Sequence, residues 1–289
     1  MNQKKSLQEL TFKDNFMFGA VMLNPENCKG VIERCIGTEI ESVEVSKEKS
    51  IVYNPEYKGV RLDAYAKDKN RTRYNIEMQI LPKPAIQKRV RYYHSQIDME
   101  ILLAGSSYEE LPDTYVIFIC DFDPFGERKY RYTKKAVFKE VPDLEMNDGT
   151  HTVFLSTVGL NDEDEPEELV RFLKFVGSNS SECEDNYGDA FIKRLQESIK
   201  EVKVSREMGG RYMIFQEMLK DERAEGKAED VLVLLQELGT VSDELRMRIM
   251  SERNLDVLTR WVKMAAKAES VEEFIVSQEN YEKVKDITE

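Results

Sequence analysis

Two runs of alternating residues, close together in the chain, leave few choices of fold. In Val60-Arg61-Leu62-Asp63-Ala64-Tyr65-Ala66 the apolar positions are 60, 62, 64 and 66, and in Arg73-Tyr74-Asn75-Ile76-Glu77-Met78-Gln79-Ile80 they are 74, 76, 78 and 80. A period of two marks strands, whose successive side chains point to opposite faces. The polar turn Lys67-Asp68-Lys69-Asn70 is short enough to pair the two runs as a hairpin. Asp63 then shares a face with Arg61 and Tyr65, and Glu77 shares one with Asn75 and Gln79. Two acids and an amide on the polar faces of paired strands suit a hard divalent cation held against a phosphate. Mg²⁺ takes one or two carboxylates and fills its shell with water and phosphate oxygen.

The roles follow from the chemistry. Asp63 and Glu77 are the candidate metal ligands and catalytic acids, with the Met78 carbonyl as a further oxygen. Gln79 is positioned to orient an attacking water, but an amide supplies no positive charge. A transition state rich in negative charge needs a cation nearby, and Arg91 is the expected one. Acids on the polar face of a solvated surface hairpin are common, so D-x(13)-E-x-Q by itself fits that reading too.

Charge is unevenly spread. The chain has 42 Lys+Arg against 55 Asp+Glu, a net charge of −13, which argues against a general nucleic-acid coat protein. From Lys58 to Arg91, however, ten basic residues face three acids. Lys88, Arg89 and Arg91 fall at the start of a helix and form the candidate group for meeting a polyanion. Glu33, Tyr93 and Arg91 are accessory candidates, with Glu33 read a little more readily as a solvated helix acid. His94 is expected on a helix surface, and Trp261 in the core of a small helical bundle. Cysteines 28, 35, 120 and 183 show no CxxC spacing and there are two histidines, so neither a zinc site nor a disulfide framework is expected. The N-terminus lacks an apolar signal core and no segment is apolar for the length of a bilayer span, so the expected location is cytoplasmic, without membrane contact.

Along the chain, helices are predicted at Phe16–Leu23, Asn27–Ile36 and Ala85–Ala104, and a loose strand at Glu41–Val52. Tyr115-Val116-Ile117-Phe118-Ile119 lies in a strand buried on both faces, Thr114–Cys120. Strands follow at Arg128–Phe138 and His151–Ser156. Helices then dominate: Glu167–Val176, Asp189–Met208 and Arg211–Ala224, a hinge at Gly226, and three short helices over 228–276. Strands first and helices later, with a helix between strands, indicate a mixed α/β (α+β) class.

Several motifs occur in order: Thr11-Phe12-Lys13-Asp14-Asn15-Phe16-Met17-Phe18, Arg61-Leu62-Asp63, Asn75-Ile76-Glu77-Met78-Gln79, Arg89-Val90-Arg91-Tyr92-Tyr93-His94-Ser95, and Tyr115 through Phe125. Together they resemble the recombination-promoting nuclease/transposase (Rpn) branch of the PD-(D/E)xK nuclease superfamily over roughly residues 8–215. The resemblance implies a restriction-endonuclease-like core, with a central mixed sheet flanked by helices, and a C-terminal helical appendage. It divides the chain into a nuclease-like domain over 1–215 and a helical tail over 216–289. It also implies Mg²⁺- or Mn²⁺-dependent DNA endonuclease chemistry linked to mobile elements or recombination, with DNA as partner and a homodimer allowed. Asp63 and Glu77 fall at the metal acids, Gln79 where the wider superfamily has Lys, and Glu33 where some relatives carry an extra helix acid. The alternative is a catalytically silent DNA-binding or interaction module that keeps the fold.

Overall fold

The computed structural model describes residues 5–46, 50–51, 60–61, 63–178 and 188–278. Cys183 and Lys58 lie outside these residues, as does Leu62. The chain forms two compact units, Met1–Gly209 and Gly210–Glu289.

In the first unit, α1 (Asn15–Met22) and α2 (Pro25–Ile36) precede the sheet. Asn24 caps α2 by accepting from the backbone N–H groups of Glu26 and Asn27, and Gly37 ends it in the left-handed conformation at φ 74°. A two-stranded ladder pairs β2 (Ser50–Ile51) with β3 (Val60–Arg61). The main sheet has six strands in the order β1 (Val43–Ser46), β4 (Ala64–Asp68), β5 (Arg73–Gln79), β6 (Thr114–Cys120), β10 (Thr150–Ser156) and β7 (Arg131–Lys134). The β1, β4 and β5 strands form an antiparallel meander, whereas β6 runs parallel to both β5 and β10. Antiparallel neighbours can be joined by a turn, but the parallel step from β5 to β6 needs a crossover. Helix α3 (Ile86–Ile101) supplies it.

That helix packs on one sheet face through Ile86, Val90, Tyr93 and Ile97, against Tyr65, Val116, Phe118 and Phe154. Elsewhere in this unit α2 meets α4 (Glu167–Gly177) and α5 (Ala190–Val204). Gly30 is required there: a Cβ would lie 2.2 Å from the Phe191 ring. Cys28, Cys35 and Cys120 are buried free thiols.

Several predicted boundaries move. The first alternating run is two strands, because the chain bends at Asp63 between β3 and β4. Its partner is not half-solvated: β5 is buried at every position from Tyr74 to Gln79, since α3 covers the face that carries the acids. Helix α3 stops at Ile101, its last residue packed against that cluster, and Leu102 is extended. The Arg128–Phe138 strand begins only at Arg131, because Asp123 folds the preceding loop onto itself by accepting from the N–H groups of Phe125 and Arg128. Its last residues form β8 (Val137–Phe138), which pairs with β9 (Val141–Glu145) instead of the main sheet. Asp189–Met208 is broken at Ser205, which closes α5 and accepts from Met208 N–H at the start of α6 (Arg206–Leu238).

Helix α6 runs unbroken through Gly226, so no hinge exists there. One glycine in a helix interior costs only about 1 kcal/mol against alanine. Its neighbours Ala224 and Ala228 are buried in the second unit's core with Val231, Leu235, Leu258 and Trp261, which hold the turn in place. Asn254 caps α8 (Leu255–Ala265), and Ser242 caps α7 (Asp243–Ser251). Among the described residues no helix is long and apolar enough to cross a membrane.

Candidate active site

At the C-terminal end of β5 the alternation of the strand puts Asn75, Glu77 and Gln79 on the face beneath α3. Asp63 reaches the same place from the bend before β4. Its Oδ2 accepts from Met78 N–H at 3.0 Å, and its own N–H points at Glu77 Oε1 at 3.4 Å. The two acids that the sequence paired are therefore neighbours. Glu77 is 2 % exposed, which removes the solvated-hairpin reading of this residue.

The cation beside them is Arg89, not Arg91. The Arg89 guanidinium donates to Gln79 Oε1 at 2.9 Å and to the Tyr93 hydroxyl at 2.8 Å, and lies 3.5 Å from Glu77 Oε2. It also sits 5.4 Å from the Tyr93 ring centre and 5.3 Å from that of Phe118. Positions 89 and 93 are one helical turn apart and share a face, whereas 91 is rotated by about 200° from 89 and is exposed. Tyr93 completes the group by donating from its hydroxyl to Glu77 Oε2 at 3.3 Å. Spacing alone could have found Arg89, because it lies four residues before a tyrosine already singled out.

Gln79 is bonded at both ends of its amide: Oε1 accepts from Arg89, and Nε2 donates to the Met78 carbonyl at 2.9 Å. It holds the arginine instead of presenting a free amide to water, and it engages the carbonyl expected as a further metal oxygen. Glu33 is occupied elsewhere. Its Oε1 accepts from Ile40 N–H at 2.8 Å and lies 3.7 Å from Lys29, so it braces the segment after α2. Of the expected DNA-binding group, Lys88 and Arg91 are exposed, whereas Arg89 is turned inward.

The electrostatics are strained. Burial pushes the Glu77 carboxyl well above the ordinary carboxylate range, and the Asp63 charge pushes it further, against the opposing pull of Arg89. Burial likewise raises the Tyr93 hydroxyl to about 12, so it stays a donor at neutral pH. No group of three or more His, Cys, Asp or Glu side chains gathers among the described residues. The donor set is two carboxylates, which fits an oxygen-seeking cation that keeps most of its own water and does not fit zinc.

Two buried features escaped the sequence. His94 is 6 % exposed, not on a helix surface: its Nδ1 pairs with Thr114 Oγ1 at 2.8 Å and its Nε2 with Thr152 Oγ1 at 3.2 Å. Lys13 is buried beyond the end of β6, donating to Asp121 Oδ2 at 2.6 Å and to the Gly177 carbonyl at 3.2 Å. Single charged or aromatic residues on amphipathic segments give no sign of which way they turn. Clefts of about 160 and 210 Å³ open around Tyr115 at the opposite end of the sheet, and neither is lined by the acids or Arg89.

A family model of PD-(D/E)XK nuclease family transposases matches residues 12–229, well over half of the chain. The chain belongs to this family. Comparisons with curated proteins and with solved structures give no match. The match spans the meander, α3 and β6 that carry the acid pair, and the mixed sheet flanked by helices is the architecture expected of a PD-(D/E)XK nuclease.

Proposed function

We propose that this PD-(D/E)XK family member is a DNA endonuclease in which Asp63 and Glu77 hold Mg²⁺ or Mn²⁺ and hydrolyse a phosphodiester bond, in the service of transposition or recombination. The observation that carries the reading is a buried carboxylate, Glu77, beside the half-buried carboxylate of Asp63, with an arginine held against Glu77 by Gln79 and Tyr93. Burying like charges together costs stability, and functional sites are where such costs concentrate. When bound, the cation lowers the pKa of a water and offsets charge that builds on the phosphoryl oxygens.

The chain's own residues do the rest. Asp63 is anchored at the end of β5 by accepting from Met78 N–H. Arg89 supplies the positive charge that Gln79 lacks: a guanidinium held by an amide and a phenol is preorganised to meet a phosphate oxygen as negative charge grows there. Gln79 in place of lysine is then one part of a two-residue arrangement in which the charge comes from α3. Exposed Lys88 and Arg91, on the first turns of that helix, offer contacts to flanking phosphates. If a second copy of the chain is a partner, exposed Val137, Phe138, Val141 and Leu144 of the β8–β9 hairpin are the surface to test. The proposed location is cytoplasmic.

The competing reading is a silent DNA-binding or interaction module, favoured by Arg89 already lying against the acid pair and by the net charge of −13. Nicking of supercoiled plasmid in Mg²⁺ or Mn²⁺ separates the two. Wild type is expected to convert supercoiled to open-circle DNA, with the rate lost in Asp63→Ala. Binding without cleavage under both metals selects the silent module.

A further inference from the structure

Asn75 lies two residues before Glu77 on the same face of β5 and is fully buried. Among the described residues neither its Oδ1 nor its Nδ2 has a hydrogen-bond partner. Across the sheet it is paired with Tyr65 on β4 and Val116 on β6, and both belong to the apolar cluster under α3. A buried amide with no partner destabilises a fold, and a leucine or valine would pack there without that cost. Its amide stands beside the Glu77 carboxylate, close enough to favour the charged form yet short of hydrogen-bond geometry.

The Glu77 carboxylate is itself loosely held. Its hydrogen bonds and ion pair among the described residues are long: 3.4 Å to Asp63 N–H, 3.3 Å to the Tyr93 hydroxyl and 3.5 Å to Arg89. An unmatched donor thus adjoins an acceptor whose hydrogen bonds are long. We propose that Asn75 is a positioning residue for Glu77, whose amide N–H completes its hydrogen bond to the carboxylate when Glu77 takes the divalent ion. The unpaired amide of the metal-free fold then favours the loaded arrangement, a hydrogen bond being gained on metal uptake. This rests on the assignment of Asp63 and Glu77 as metal ligands.

Two measurements without DNA test it: calorimetric titration with Mn²⁺, and thermal melting without metal. Asn75→Ala and Asn75→Ser are compared because they differ by one hydroxyl and little in volume, and Asn75→Leu is added as the well-packed variant. Asn75→Leu is expected to melt higher than wild type without metal yet bind Mn²⁺ at least tenfold more weakly. Asn75→Ser is expected to recover part of the affinity that Asn75→Ala loses, at similar melting temperature. Equal Mn²⁺ affinity in wild type, Ala and Ser variants overturns the proposal, and does so even if the leucine variant fails to fold. Binding that Asp63→Ala abolishes but Asn75→Ala leaves intact removes the role of Asn75 alone. Binding that Asp63→Ala also leaves intact removes the metal assignment and this inference together.

Discussion

Tyr93 and His94 are neighbours on α3, yet they belong to two buried polar clusters of opposite character on one sheet face. His94 is matched: each ring nitrogen meets a threonine hydroxyl, one from β6 and one from β10. The cluster is neutral and ties the N-terminal ends of two strands to the helix. The Tyr93 cluster is mismatched, with two acids together, long contacts around Glu77, and Asn75 unpaired. His94 and Glu77 are both buried, at 6 % and 2 % exposure, so burial of the central group does not separate the clusters. What separates a brace from a candidate site is whether the buried polar groups are satisfied without a further partner.

The sharpest way to break this contrast is by rate. Arg89→Met removes the guanidinium that Gln79 and Tyr93 hold and is expected to lower metal-dependent cleavage by about 10²–10³-fold, the usual cost of a lost preorganised donor. His94→Gln is expected to leave the rate unchanged. Plasmid nicking at saturating metal measures both, and an equal loss from the two variants would erase the distinction between the clusters.

Stability should divide the clusters the other way. His94→Leu strands the Thr114 and Thr152 hydroxyls, both buried, and is expected to cost about 2–4 kcal/mol in urea unfolding. Glu77→Gln, by contrast, removes one of two repelling charges and should stabilise the metal-free protein. A destabilised Glu77→Gln variant would mean that the acid is paired more strongly than its long contacts imply.

The pH dependence carries opposite signs. Burial lowers the His94 pKa to about 4, so the unfolded chain takes up a proton that the native ring refuses. The stability this residue contributes is complete above the ordinary histidine range and is lost as pH falls from there through about 4, by about 3 kcal/mol in all. Glu77 is raised instead, so the native state keeps a proton that the unfolded state releases. Its contribution therefore weakens stability as pH rises out of the ordinary carboxylate range. Thermal melts across pH without metal should show both slopes. His94→Gln should remove the rise in stability between about pH 4 and the ordinary histidine range, and Glu77→Gln the fall that begins above the ordinary carboxylate range, the two opposing each other where they overlap.

Some of this was legible in the residues. Period-two alternation put Asp63, Glu77 and Gln79 at one sheet end, and the continuous run around Phe118 marked a strand buried on both faces. The helix between them followed from the spacing of Ile86, Val90, Tyr93 and Ile97. What alternation does not encode is which polar face becomes covered, so Glu77 read as half-solvated until α3 lay over it. The expectation of Arg91 instead of Arg89 fails on helical phase: the run of basic residues does not show which of them faces the sheet, and 91 lies about 200° around the helix from 89. The Gly226 hinge failed because a local propensity of about 1 kcal/mol is small against the packing of the alanines on either side.

The smallest expected effect concerns the exposed side of α3, which the two clusters leave uncommitted. Lys88 and Arg91 are exposed and three apart on one helical face, while Arg89 is turned inward. Phosphate contacts release counterions, so each lost contact flattens the dependence of log K on log salt by about one unit. Lys88→Ala with Arg91→Ala is therefore expected to weaken DNA binding roughly uniformly across sequences and to flatten the slope by about one to two units, with melting temperature unchanged. Arg89→Met should move the cleavage rate far more than the slope, because its guanidinium is spent on Gln79, Tyr93 and Glu77. If Arg89→Met flattens the slope as much as the double variant does, the guanidinium swings out to the backbone in the complex. Arg89 would then belong to the binding surface and not to the cluster around Glu77.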